Sequence, residues 1–221
     1  MANIIIAIDG PAATGKGTIA RRLAQFYGAE YIDTGIFYRC AAYLVDKLNI
    51  SLDEEEKIIE ITKNMNIIIK RFDVYLDDVL VTDEIRSNNV NAIVSQVSAI
   101  KEVRLIVNEH IRDFAFNKNC VVDGRDITTV VFPNAKFKFY LDCDVDERAR
   151  RRFNQNQEMG IECTFESIYE NLKMRDYNDK TKEFGALTLA SDATLINTTN
   201  DAIEETIEKL KDIIGSELKW I

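Results

Sequence analysis

Residues 3–8 form an apolar run that stops at Asp9 and a glycine-rich turn. That pattern predicts a strand buried on both faces of a parallel sheet. From Lys16 to Tyr27 the period changes to that of a helix, with Ile19, Leu23 and Phe26 on one side. A short strand over Glu30–Ile32 ends in DTG, and a second helix runs to Leu48. This strand–helix alternation predicts an α/β fold with a P-loop-type parallel sheet flanked by helices.

The middle of the chain changes character. A helix over residues 54–64 places Ile58, Ile61 and Met65 in phase, and short β-rich pieces follow, with a turn signal at Asp77-Asp78. Residues 66–85 thus predict a small antiparallel insertion. Helices are expected over 85–98 and 100–117, the second carrying Val103, Val107, Ile111 and Phe114 in phase. The α/β rhythm resumes with CVVDGRD and KFKFYLD, each a strand closed by aspartate. Charged helices at 144–159 and 164–178 flank Gly160, a plausible flex point, and together read as a helical lid. A last strand, Ala193–Ile196, leads to a helix with Ile203, Ile207, Leu210 and Ile214 in phase. The expected organisation is one domain over 1–221: a core of about 1–50 and 86–221, an insertion of about 62–86 and a lid of about 148–166.

Composition narrows the class only slightly. The 221 residues are 46% hydrophobic and 29% charged, as in a soluble globular protein. The initial IIIAI is too short, and lacks preceding basic residues, for a secretory signal, so a cytoplasmic location is expected. No apolar run reaches membrane-spanning length. The net charge of −9 opposes general nucleic-acid binding, which needs a basic face. Cys40, Cys120, Cys143 and Cys163 are widely spaced, which predicts free and mostly buried thiols. His110 reads as a surface or packing residue. No pattern calls for an obligate oligomer, so a monomer is expected.

The sharpest chemical signal is Gly10-Pro11-Ala12-Ala13-Thr14-Gly15-Lys16-Gly17-Thr18. Its spacing is that of a phosphate-binding loop between a strand and a helix, where backbone N–H groups and the helix N-terminus face an anion. Lys16 would reach the β- and γ-phosphates of ATP. Gly17 stands where Ser or Thr is usual, with Thr18 next. The GKGT spelling is that of nucleoside monophosphate kinases. Asp123, at the end of VVD, is placed to orient waters on a Mg²⁺ near Thr18, and Asp142 on the neighbouring strand is its rival.

A kinase needs a second anion site. DTGIFYR, DGRD and RDYNDKTK each set arginine near aspartate, and arginine forks suit phosphate oxygens. Taken singly, each reads as a weak surface salt bridge. The RARRR run at 148–152 alone reads as a solvated helix face.

The ordered set GPAATGKGT, DTGIFYR, VNAIVSQVSA, VVDGRDITTVVFPNA, ERARRR and RDYNDKTK resembles the bacterial cytidylate kinases over nearly the whole chain. The resemblance implies Mg²⁺-dependent phosphoryl transfer from ATP to CMP or dCMP. It implies that Thr34 and Arg39 face the monophosphate, that Ser95, Arg104 and Asp126 read cytosine, and that Arg125 grips phosphate. Arg175 and Asp179 would lie near the acceptor, with Asp179 on the ribose hydroxyls and Lys182 completing that motif. Arg151 and Arg152 would close over the transferring phosphate. The stretch 66–85 matches the insertion of the bacterial branch. The chain departs from the family in Lys182 for arginine, Ala186 for proline and Thr128 for glycine. Chemistry supports cytosine: a carboxylate accepts from its N4 amine, whereas uracil would leave buried polar groups unpaired, at about 1–3 kcal/mol each. Rival readings are a kinase for UMP or AMP, or a nucleotide-dependent switch without phosphoryl transfer.

Overall fold

A computed structural model describes residues 3–70 and 73–215. The chain divides into two compact units, residues 1–33 with 117–221, and residues 34–116.

The first unit is built on β1 (Ile5–Asp9), β2 (Glu30–Asp33), β6 (Cys120–Gly124), β7 (Phe137–Asp142) and β8 (Thr194–Asn197). Their order is β2-β6-β1-β7-β8, and every pairing is parallel. β1 and β6 are central and apolar on both faces, as an all-parallel sheet requires. One face packs on α1 (Lys16–Tyr27) and α8 (Ile203–Ile214), where Ile6, Ile8, Leu23, Leu141 and Leu210 are buried together. The helical phase of α1 is as expected for Ile19 and Leu23, but Phe26 is exposed and Tyr27 takes the buried place. The solvent-facing ring of Phe26 is instead covered by the Lys211 ammonium, 3.9 Å from its centroid.

Two further helices, α6 (Val145–Glu158) and α7 (Phe165–Thr181), pack Ala149, Ile168 and Leu172 against Ala12 of the glycine-rich loop. Helix α7 ends three residues beyond its expected limit of 178, so Asp179 is helical. A π-helical turn, Ile127–Val131, follows DGRD; no periodicity in the sequence announced it.

The second unit contains α2 (Gly35–Lys47), α3 (Glu55–Asn64), the antiparallel strands β3 (Ile67–Lys70), β4 (Asp73–Leu76) and β5 (Val79–Leu80), then α4 (Asn88–Val97) and α5 (Lys101–Ala115). Asp77 and Asp78 both adopt positive φ, as a tight hairpin turn demands. The small antiparallel sheet is therefore present, although residues 71 and 72 of the expected insertion lie outside the described residues. The helix expected over 85–98 is broken. A 3₁₀ turn at Glu84–Arg86 precedes Ser87, whose extended backbone and hydroxyl, accepting from the Val90 N–H, start α4 anew. His110 is half-buried against the Thr62 carbonyl, and Cys40, Cys120 and Cys143 are buried free thiols.

Candidate active site

The loop after β1 is shaped by its neighbours. Gly10 has φ of 153°, and a Cβ there would stand 2.2 Å from the Leu141 carbonyl oxygen of β7, so only glycine fits. Ala13 also holds a positive φ of 63°, a conformation unfavourable for a residue with a Cβ. The Thr14 hydroxyl and the Lys16 ammonium both donate to the Pro11 carbonyl, at 3.2 and 2.9 Å. Gly15, also left-handed, leads into α1, and Thr18 is exposed in its first turn.

Lys16 is buried. Burial pulls its ammonium down to about 7, and the Arg125 charge adds to that, while Asp123 and Asp179 oppose it. Arg175, exposed on α7, also bears on it. An approaching phosphate chain supplies the negative charge that would restore the proton.

Asp123, next to last in β6, is in register with Asp33 of β2. Burial, then the Asp33 charge, push its carboxyl up to about 7. The Tyr31 hydroxyl donates to its Oδ1 at 2.8 Å. Asp142, the rival, is exposed and accepts from the Cys143 N–H. Of the two, Asp123 is the buried one, with Oδ2 toward Gly17 of the glycine-rich loop.

DGRD and RDYNDKTK meet in one cluster. Arg125 donates through Nε to Asp179 Oδ2 at 2.7 Å, and Lys182 donates to Oδ1 of the same carboxylate at 2.8 Å. Burial would push Asp179 up, yet the Arg125 and Lys182 charges hold it well below the ordinary carboxylate range. The departure at Lys182 thus keeps a cation on Asp179 but with one point contact rather than a fork. Ala186 precedes Leu187, whose N–H returns to the Asp179 carbonyl at 2.7 Å, tying that loop down without proline.

Asp126 is buried, and its carbonyl accepts from the Val130 and Val131 N–H groups to start the π-helical turn. That turn is anchored by Asp9, which along the sequence is simply the polar end of an apolar strand. Fully buried, Asp9 accepts from the N–H groups of Ile127 and Thr128 and from the Thr128 hydroxyl, at 2.8, 2.8 and 2.6 Å. Thr128, in place of glycine, thus supplies an additional donor. The clue was an acidic residue ending an otherwise apolar central strand.

RARRR is not a uniformly solvated face. Arg148 is buried and donates to the carbonyls of Cys143 and Ala12 and to Asp176 Oδ2, at 2.8, 3.2 and 2.6 Å. It is a strut between α6, the glycine-rich loop and α7. Arg151 is turned to Glu147 and the Thr198 carbonyl, and exposed Arg152 to Gln155.

In the second unit Thr34 is buried just before α2. Arg39 donates to the Ile85 carbonyl and to Asn91 Oδ1, at 3.1 and 2.7 Å. Arg104 is buried, donates to the Ser98 carbonyl at 3.1 Å and lies over the Tyr38 ring. Ser95 is exposed on α4, and its carbonyl accepts from the Ser98 hydroxyl.

A glycine loop holding a buried lysine at the end of a central parallel strand, with guanidinium groups beside it, defines a P-loop nucleotide-binding protein. The chain belongs to the cytidylate kinase family, whose model matches residues 6–216. Its similarity to a curated cytidylate kinase of Caldanaerobacter subterraneus subsp. tengcongensis is 43% identity, covering 97% of this chain and 96% of that one. With a cytidylate kinase of Fusobacterium nucleatum subsp. nucleatum it shares 44% identity, covering 94% and 95%. In fold it resembles an uncharacterised crystal structure from Eubacterium ventriosum, with a TM-score of 0.53 at 12% identity, covering 97% of this chain and 100% of that one.

Proposed function

We infer that the protein transfers the γ-phosphoryl group of ATP to CMP or dCMP, giving ADP and CDP or dCDP. One observation carries this reading besides the family. Asp123 Oδ2 lies 3.9 Å from where a Cβ on Gly17 of the phosphate loop would stand, and Arg125, two residues on, is joined to Asp179 of α7 at 2.7 Å, so the donor loop and two of the acceptor motifs come together.

In this reading the loop from Gly10 to Thr18 binds the ATP phosphates, and Lys16 neutralises the tail that is transferred. Arg39 and Arg125 hold the CMP phosphate, with Thr34 beside it. Ser95, Arg104 and Asp126 read cytosine. Arg175, Asp179 and Lys182 serve the acceptor, Asp179 through the ribose hydroxyls. Arg151 and Arg152 steady charge on the transferring group. A monophosphate oxygen is already anionic and needs no general base, so catalysis is positioning and electrostatic stabilisation.

The donor set suits Mg²⁺. Asp123 offers a buried carboxylate and Thr18 an exposed hydroxyl at the loop, both hard oxygen donors. That matches an ion carried chiefly by phosphates and water, with Asp123 and Thr18 touching its waters. When bound, Mg²⁺ neutralises charge between the phosphates.

We place the reaction in the cytoplasm, with a monomer as the working form and no nucleic-acid or membrane partner. Among the described residues, no helix is long and apolar enough to cross a membrane. The deciding experiment is coupled ADP release with CMP, dCMP, UMP and AMP. The two cytidine nucleotides should be preferred, and Asp126→Ala should erode the preference for CMP over UMP. Preferred turnover of UMP or AMP would change the acceptor, and ATP binding without acceptor-dependent ADP would leave a switch.

A further inference from the structure

The usual phosphate loop carries a Ser or Thr hydroxyl directly after its lysine, beside the metal. This chain has Gly17 there, and the side-chain space is not empty. A Cβ built on Gly17 would stand 3.3 Å from the Tyr31 hydroxyl of β2 and 3.9 Å from Asp123 Oδ2. The same hydroxyl donates to Asp123 Oδ1 at 2.8 Å. Arg21 lies over the Tyr31 ring, 5.4 Å from its centroid, and helps hold the ring in place.

We propose that Tyr31 is a positioning residue that brings, from a neighbouring strand, the hydroxyl that Gly17 cannot supply. By donating to Oδ1 it fixes the Asp123 carboxylate with Oδ2 turned toward the loop, where the waters of a metal–ATP complex would meet it. Glycine at position 17 and tyrosine at position 31 are then a matched pair: a side chain at 17 and a phenol at 31 compete for one space. This deepens the kinase reading and rests on its assignment of Asp123 to the metal.

The test is the affinity of Mn²⁺ for the enzyme–ATP complex, followed by electron paramagnetic resonance without CMP, alongside the melting temperature of the metal-free protein. Tyr31→Phe removes only the hydroxyl and should weaken Mn²⁺ binding about tenfold, as loss of an outer partner of a metal ligand does. Gly17→Ser should weaken it too, by displacing the phenol. The double variant Gly17→Ser/Tyr31→Phe should return to within about threefold of wild type, because the serine hydroxyl takes the place the phenol left. Gly17→Ala/Tyr31→Phe brings the carbon without the hydroxyl and should stay weak, a comparison that also serves if Gly17→Ser alone misfolds. Unchanged affinity in Tyr31→Phe, equal affinities in the two double variants, or affinity that follows melting temperature across the set would reduce Tyr31 to a packing residue. Wild-type turnover with CMP is measured separately, so failure of the kinase reading is distinguishable from failure of this one.

Discussion

The two units fasten their candidate substrate-binding cations differently. In the first, Arg125 and Lys182 share the Asp179 carboxylate, while Lys16 donates to the Pro11 carbonyl. In the second, Arg39 donates to a carbonyl and a carboxamide, and Arg104 donates to a carbonyl and lies over an aromatic ring. Carboxylate pairing makes a buried cation stable and expensive to disturb, since removing one partner strands the other. Backbone carbonyls, a carboxamide and a ring face fix the direction in which a guanidinium points. Breaking the carboxylate pairing at Asp179 should therefore change stability together with chemistry, whereas a change at half-buried Arg39 should act chiefly on substrate binding.

The largest effect expected is from Lys16→Ala, which should lower kcat about 10³-fold in the ADP-release assay. Its stability should behave differently from that of its neighbours. The folded-state pKa of Lys16 is lowered, so below about pH 7, where the lysine is charged in both states, the unliganded fold carries the full cost of burying that charge. Thermal melts at pH 6 should show the variant at least as stable as wild type. A variant retaining most of its turnover would remove the lysine from the mechanism.

Asp179→Asn tests the carboxylate pairing and should cost about 3 kcal/mol at pH 7 by urea denaturation, because Arg125 and Lys182 lose their common partner. The folded-state pKa of Asp179 is depressed, so its contribution is present above the unfolded carboxylate value and lost as pH falls through the folded one. The gap between wild type and variant should thus be wide at pH 7 and close progressively below about pH 4. A gap that did not narrow in acid would show the pair contributes little.

Arg39→Met probes the other unit. It should reduce kcat/KM for CMP about 30-fold, the worth of one charge-assisted contact, with the KM for ATP unchanged. Stability should stay within about 1 kcal/mol of wild type. A stability loss matching that of Asp179→Asn would erase the distinction between the units. The smallest effect is reserved for Thr128→Val, which keeps shape and N–H but removes the hydroxyl donated to Asp9. It should lower stability by about 1 kcal/mol with turnover nearly intact.

Local features of the chain foretold much of this. Hydrophobic period located the parallel strands and the helices between them, because each element had to bury one face. Glycine spacing located the phosphate loop, because left-handed backbone and the contact of Gly10 with Leu141 exclude a side chain. The break at Ser87 and the exposure of Phe26 were not legible from period alone, since both depend on what packs opposite.

The sequence by itself determined the fold class, the loop and its lysine, and the family, because short-range spacing and side-chain chemistry are written in order along the chain. Only the tertiary structure decided that Asp9 anchors the turn after DGRD, that Arg148 leaves a polar run for the interior, and that Tyr31 fills the space beside Gly17. The partners lie 118, 136 and 14 positions apart for Asp9–Ile127, Arg148–Ala12 and Tyr31–Gly17. Strand order, not sequence distance, brings such atoms together.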